Sequence, residues 1–233
     1  MIKSKKALKD IIVVGKRVGD QVYYRLDPPF KEEARPLDCY PNCLTALISI
    51  YDVLYESGLG AFSTYKEFYE AACDWFNRKI KEGYTEKYVD YTNRFLRMNG
   101  IDFKAKIILA RKSMADDLDL LLIKNELLNF SQKKLVPPIA VIDEHYLRHG
   151  QPLAGAHSLL LLGYTIENFF VYDPDYGVRI REVSIDEIKK GLSVYDYNLI
   201  VLIPVEESLK VERVALRDTR LTEFPEFGDI GGE

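Results

Sequence analysis

Cysteine, histidine and tryptophan are all scarce in this chain of 233 residues, which has three cysteines, three histidines and one tryptophan. An odd and low cysteine count excludes the disulfide framework of a small secreted domain. Cys39 and Cys43 are four residues apart. A zinc site needs four ligands, however, and no further pair of ligands lies close to these two in the sequence. We therefore predict neither a metal site nor an organic cofactor.

Long hydrophobic runs are also missing. No stretch approaches the roughly 18 apolar residues that a membrane-spanning helix requires. The apolar run 11–15, which follows a basic start, is too short for the core of a signal peptide. The net charge of -4 gives no general excess of positive charge for nucleic acid. We expect a cytoplasmic protein with no membrane or nucleic-acid partner, and the oligomeric state stays open.

Apolar residues in regular periods are abundant. Hydrophobic residues make up 47% of the chain, which is enough to bury a substantial core. Helical periods occupy 41–55, 65–81, 88–98, 116–130 and 184–192. Strand patterns occupy 11–14, 21–25, 103–109, 138–142, 158–164, 169–172, 178–183 and 199–203. A mainly helical half followed by an antiparallel sheet predicts an α+β fold, with the apolar helix from 41 buried at its centre.

The two halves are predicted to form a single domain over residues 1–204. The remaining stretch, 205–233, is charged and ends in glycine, proline and acidic residues. We predict that it is a loosely ordered tail.

Three separated residues have the chemistry of a catalytic site. Cys39 stands in L-D-C-Y-P-N-C-L at the predicted start of the central helix, where the helix dipole favours a thiolate. His157 opens one strand and Asp173 ends the next. A thiol nucleophile needs a base beside it and an acceptor that orients the base. The trio predicts a cysteine-dependent acyl-transfer enzyme, most simply a peptidase.

The strands that carry His157 and Asp173 are predicted to form a hairpin. If its turn is centred near Thr165, the two residues are each about eight positions from the centre and lie directly opposite each other. Cross-strand partners have Cβ atoms about 5 Å apart. This pairing predicts a hydrogen bond between the imidazole and the carboxylate.

Each residue of the trio also has an ordinary structural interpretation. A cysteine near a helix start is more often a small buried hydrophobe, and a polar residue at a strand end more often has no special role. Only the combined order and geometry favour catalysis. Cys43 is a rival nucleophile. His145 and His149 are rival bases in a polar loop that we interpret as a rim or lid.

The chain resembles the bacteriocin-processing, double-glycine cysteine peptidases in four motifs: Asp38-Cys39-x-x-x-Cys43-Leu44, Pro138-Ile139-Ala140-Val141, Ala156-His157-Ser158-Leu159 and Val171-Tyr172-Asp173-Pro174. That family has D-C-G-x-x-C/A/S-L, then a histidine before an apolar strand, then D-P about sixteen residues later. The resemblance spans 31–203 in outline. It implies a papain-like fold with Cys39 as nucleophile, His157 as base and Asp173 as orienter. It also implies a peptide or small acyl substrate that is cleaved through a thioester, and it favours Cys39 over Cys43.

The chain departs from the family pattern around the expected oxyanion hole. Glu33 stands six residues before the nucleophile, where the family has glutamine. A carboxylate at that position would repel a developing oxyanion. Tyr40 replaces the glycine that follows the nucleophile and is expected to crowd the groove. The Asn42 side chain and the Cys39 backbone N–H are alternative oxyanion donors.

These departures keep two other functions open. The butirosin-type acyltransferases have a similar order of cysteine, histidine and aspartate, and they move an acyl group from a carrier protein to an amine. Other papain-like proteins have lost their activity and only bind peptides.

Overall fold

The computed structural model describes residues 5–35, 37–81, 88–109, 123–130, 134–143, 156–175, 179–193 and 199–205. The helices are α1 (Lys5–Ile11), α2 (Cys39–Tyr55), α3 (Tyr65–Lys81), α4 (Tyr88–Met98) and α5 (Ile185–Ser193), with a π-helical turn at Ile123–Leu127. The strands are β1 (Ile12–Val18), β2 (Gln21–Leu26), β3 (Phe103–Leu109), β4 (Leu128–Asn129), β5 (Lys134–Leu135), β6 (Ile139–Asp143), β7 (Ala156–Tyr164), β8 (Asn168–Asp173), β9 (Arg179–Ser184) and β10 (Leu199–Pro204). Within these ranges, no helix is long and apolar enough to cross a membrane.

Eight of the strands form one antiparallel sheet, and six of them lie in the order β1-β2-β7-β6-β10-β3. Strand β8 pairs with β7, and β9 pairs with β8. Strand β7 is therefore the junction of the sheet, because it pairs with β2, β6 and β8. The short strands β4 and β5 pair only with each other.

Helix α2 is the central buried helix, as its apolar sequence predicts. Thirteen of its 17 residues are buried, because an all-round apolar helix is stable only when protein covers every side. The Tyr51 hydroxyl donates to the carbonyl of Leu202 on β10 at 3.1 Å, and the Phe30 N–H donates to the Ser49 hydroxyl at 3.1 Å. The helix begins at Cys39, two residues before the predicted start, with Pro41 in its first turn.

The helices α3 and α4 occupy the ranges that the sequence predicts. The Glu67 N–H donates to the Thr64 hydroxyl at 3.1 Å, and the Ser63 N–H donates to the Glu67 carboxylate at 2.8 Å. This capping box fixes the start of α3. Gly100, with φ at +68°, ends the turn after α4.

The sheet has an apolar core on each face. One face packs against α2, α3 and α4, with Leu160, Leu162 and Tyr172 among its buried residues. The other face packs against Ile188 and Leu192 of α5. A helix bearing Cys39 thus packs on an antiparallel sheet bearing His157 and Asp173, which confirms the predicted α+β fold with a central buried helix.

Two parts of the chain differ from the predicted elements. The sequence did not predict α1. A helix was predicted over 116–130, but its described part forms a π-helical turn followed by β4. Leu128 is fully buried and pairs with Leu135, so strand pairing outweighs the local helical period. Residues 116–122 of that helix and 206–233 of the predicted tail lie outside the described residues.

Candidate active site

Cys39 is the first residue of α2, and its side chain is half-buried. The preceding residue, Asp38, is 3% exposed and does not cap the helix with its carboxylate. Instead, that carboxylate accepts a hydrogen bond from Asn77 Nδ2 at 2.9 Å and pairs with Arg35 Nε at 3.2 Å. Asn77 on α3 therefore fixes Asp38, the residue immediately before Cys39. The Asp38 carboxylate accepts no hydrogen bond from the N–H groups at the start of α2.

His157 lies beside Cys39 and two carboxylates, those of Asp173 and Asp175. Its ring is 2% exposed, and its Nε2 is 2.9 Å from Asp173 Oδ1. The Cys39 side chain also interacts electrostatically with the ring, and Asp173 occupies its Nε2. Burial alone lowers the pKa of His157, but the hydrogen bonds and charges of Asp173 and Cys39 outweigh it and raise this pKa to about 10. The site thus holds a charged imidazole beside a thiol.

The hydrogen bond between His157 and Asp173 is present, but the predicted strand register is wrong. Tyr172 pairs with Leu160, so the register continues with Asp173 opposite Leu159 and not opposite His157. The turn is centred later than Thr165, because the Thr165 N–H donates to the Asn168 carbonyl at 2.7 Å. A bulge between residues 161 and 163 corrects only part of this difference. The two side chains still meet, because residues two apart along a strand share a face of the sheet.

Asp173 is fully buried and has several hydrogen-bond partners. Its Oδ2 accepts from Arg181 Nε at 3.0 Å and Nη2 at 2.6 Å, and its Oδ1 accepts from the Asp175 N–H at 3.2 Å as well as from His157. Burial alone raises the pKa of Asp173, but the hydrogen bonds and charges of His157 and Arg181 outweigh it and lower this pKa. The carboxylate therefore stays ionised as an acceptor for the imidazole.

Arg181 was not among the predicted site residues. It pairs with Val171 across β8 and β9, which places it two residues along the strand from Asp173 and on the same face. The alternation within the predicted strand at 178–183 is the sequence feature that could have identified it.

We expect the variant Arg181→Gln to lower the free energy of unfolding by about 1–2 kcal/mol at pH 7. The buried Asp173 carboxylate loses the two charged N–H donors of Arg181 in this variant. This figure is discounted because the Arg181 side chain is 39% exposed. Urea denaturation measures the loss. The control is Lys16→Gln, which breaks an exposed ion pair with Glu182 and should cost less than about 0.5 kcal/mol. Equal losses in the two variants would contradict this role for Arg181.

Cys43, the rival nucleophile, lies in the core. It is fully buried, and its thiol donates to the Ser158 carbonyl at 3.2 Å. Burial raises the pKa of the Cys43 thiol, and the charges of Cys39 and Asp173 raise it further. Cys73 is also buried, and burial together with Asp38 raises its pKa to about 12. Of the three thiols, only Cys39 combines partial exposure with a base.

Tyr40 does not crowd the groove, contrary to the prediction. The side chain is 2% exposed, its hydroxyl is 2.7 Å from Thr92 Oγ1, and its ring packs edge-on against Phe76 with centroids 5.1 Å apart. The side chain turns into the core because it packs against Phe76 on α3 and hydrogen-bonds Thr92 on α4. The glycine-to-tyrosine departure therefore serves packing.

Asn42 is also used internally. Its Nδ2 donates to the Glu32 carbonyl at 2.9 Å, and its Oδ1 lies 2.6 Å from the hydroxyl of Tyr172 on β8. The same hydroxyl lies 3.0 Å from the Glu32 carbonyl oxygen. Asn42 is fully buried, so its amide ties α2 to β8 and does not face a substrate. Its predicted use as an oxyanion donor is not supported by this position.

Glu33 lies in the segment that runs past the site. The next residue, Ala34, donates its N–H to the Pro174 carbonyl at 3.0 Å, which holds this segment beside the end of β8. The Glu33 side chain is exposed, so water can hydrate its carboxylate. The rival bases His145 and His149 lie outside the described residues.

No protein-family model matches the chain, and no curated protein matches it either. Among solved structures, the chain is similar to a double glycine motif protease from an AMS/PCAT transporter, in a crystal structure in complex with the leader peptide. The two chains are 14% identical, the match covers 77% of this chain and 91% of that one, and the TM-score is 0.42. The roles assigned below rest on the side-chain contacts of this chain alone.

Proposed function

We propose that this chain is a cysteine-dependent acyl-transfer enzyme, and that it acts as a peptidase on a peptide substrate. The observation that carries the proposal is the His157 ring, which hydrogen-bonds Asp173 through Nε2 and interacts electrostatically with Cys39. A thiol, a charged imidazole and a buried carboxylate in this order are the groups that nucleophilic catalysis needs.

In the first proposed step, the Cys39 thiolate attacks the substrate carbonyl carbon. A C–S bond forms and the C–N bond breaks, while the His157 imidazolium gives its Nδ1 proton to the departing amine. Asp173 keeps the ring in position through Nε2. The Cys39 backbone N–H, at the positive end of α2, is our candidate donor to the oxyanion.

In the second proposed step, the neutral His157 ring takes a proton from water. The water oxygen attacks the thioester, a C–O bond forms, and the C–S bond breaks. The products are a carboxylic acid and the original thiolate beside an imidazolium. If an amine replaces water in this step, the same groups make an amide and the enzyme is an acyltransferase.

The proposal is tested by trapping the acyl-enzyme. The full chain is incubated with a peptide pool and, separately, with a panel of acyl thioesters, quenched in acid, and measured by intact mass spectrometry. We expect an acyl adduct on Cys39 that Cys39→Ala abolishes and that the buried-thiol control Cys73→Ala retains. In water labelled with ¹⁸O, a peptidase places one heavy oxygen in each new carboxyl group.

Transfer of the acyl group only to an added amine, with no labelled acid, would identify the acyltransferase function. If neither adduct nor product forms with either set of donors, the catalytic proposal fails, and the chain is better described as a peptide-binding module.

A further inference from the structure

A second carboxylate approaches the His157 imidazole at the nitrogen that Asp173 does not use. Asp175 Oδ2 lies 3.5 Å from His157 Nδ1, which is the nitrogen not used by Asp173. The Asp175 side chain is 36% exposed, so it can be reached by water and by substrate. It reaches the ring from the turn that follows β8.

The turn after β8 fixes Asp175 relative to the catalytic carboxylate. The Asp175 N–H donates to Asp173 Oδ1 at 3.2 Å, and the intervening Pro174 accepts from the Ala34 N–H at 3.0 Å. The two carboxylates are thus held at the two nitrogens of one ring.

We propose that Asp175 is a positioning residue that acts through His157. Its carboxylate holds the Nδ1 edge of the ring toward Cys39 and stabilises the charged form of the ring. When Cys39 is a neutral thioester, Asp175 is the remaining negative group at that edge. It then favours the uptake of a proton from water by Nδ1, which is the second step of the proposed reaction. This kinetic consequence rests on the proposed function, whereas the effect on the ring itself does not.

Several other groups act on the same ring, and the test separates Asp175 from them. Asp143 on β6 pairs with Ala156, and alternation along the strand places it on the opposite face from His157. Among the described residues, the titratable and charged groups near His157 include Cys39 and Cys43 on α2, Asp143 on β6, Asp173 on β8, Asp175 in the turn and Arg181 on β9.

The test is an NMR titration of the His157 ring in the full-length protein. The chain has three histidines, so the variant His157→Gln assigns the His157 signal directly. We expect Asp175→Asn to move the titration midpoint to lower pH by about 0.5–1 unit, because a partly exposed negative charge beside Nδ1 is lost. Asp175→Glu should restore at least half of that shift.

The matched control is Glu167→Gln, which removes one exposed negative charge at the other end of the hairpin. Its midpoint should stay within about 0.2 units of the unmodified protein. An equal midpoint in Asp175→Asn and the unmodified protein would overturn the proposal, and so would an equal shift in the control. If Asp175→Asn does not fold, Asp175→Ser is titrated in its place, and its midpoint should fall by a similar amount because the same negative charge is lost.

The kinetic consequence has its own readout. If Cys39 is acylated, Asp175→Asn should increase the fraction of acyl-enzyme at steady state, because the second step slows more than the first. If no variant is ever acylated but the titration shift is found, the proposed function fails and the role of Asp175 stands. If acylation proceeds and the midpoint does not move, the proposed function stands and the proposed role of Asp175 fails.

Discussion

Iodoacetamide at pH 6 is expected to modify Cys39 at least about 100-fold faster than Cys43 or Cys73. An ordinary thiol, with a pKa of about 8.5, is only about 0.3% ionised at that pH. Cys39 is half-buried beside the His157 imidazole, whereas burial raises the pKa of both other thiols. We expect His157→Gln to slow the modification of Cys39 by about 100-fold at pH 6. Peptide mapping after timed labelling measures the three rates separately.

The matched controls are His145→Gln and His149→Gln, which remove the two other imidazoles of the chain. Each should leave the rate at Cys39 within about twofold, because we assign the base to His157 alone. Equal and slow labelling of all three thiols would remove the basis of the enzymatic proposal. A large effect of either control variant would move the base to the loop that contains His145 and His149.

The second large effect is expected from Asp173→Asn, which removes a carboxylate shared by His157 and Arg181. The loss of one partner from a buried charged network costs about 3–5 kcal/mol. We expect a loss of this size in urea denaturation at pH 6. The same variant should slow acylation of Cys39 by about 10³-fold or more, because the ring loses its acceptor.

The stability cost of Asp173→Asn should depend on pH. The pKa of folded His157 is raised from 6.5 to about 10, so its stabilisation is complete below pH 6.5 and is lost as the pH rises toward 10. The pKa of Asp173 is lowered, so its stabilisation is lost only in acid, below its ordinary value near 4. The cost should therefore be largest between about pH 5 and 6.5 and smaller at pH 9.5.

Asp27→Asn is the control for this pH dependence. Asp27 pairs with Arg25 and Lys31, whose ordinary pKa values are above 10. Its cost should be nearly equal at pH 6 and pH 9.5. A cost of Asp173→Asn that is equally independent of pH would contradict the coupling between the carboxylate and a charged His157.

The central helix and the hairpin could be predicted because each depends on a local pattern. The apolar residues of α2 repeat all round the helix, so burial follows from the sequence itself. The strand ends at His157 and Asp173 are marked by small residues and by proline. The pairing of the imidazole with the carboxylate needs only a shared face of the sheet. It therefore survives the error in register.

The other features of the site depend on contacts between distant residues. Tyr40 turns away from the groove because Thr92 and Phe76, on two other helices, receive it. The Asn42 amide is already hydrogen-bonded, because its Oδ1 accepts from the Tyr172 hydroxyl. Arg181 reaches Asp173 only through the register of β9 on β8. These contacts depend on how the strands pair and how the helices pack, which a single sequence does not specify.

The phenol of Tyr172 has a consequence for how such a site could be regulated. It links the amide of Asn42, one turn into the helix that begins at Cys39, to the strand that ends at Asp173. A hinge motion that pulled sulfur and imidazole apart would first have to break this bridge inside a dry interior. If the chain is the enzyme we propose, its activity is therefore governed by the entry of a substrate more readily than by separation of Cys39 from His157.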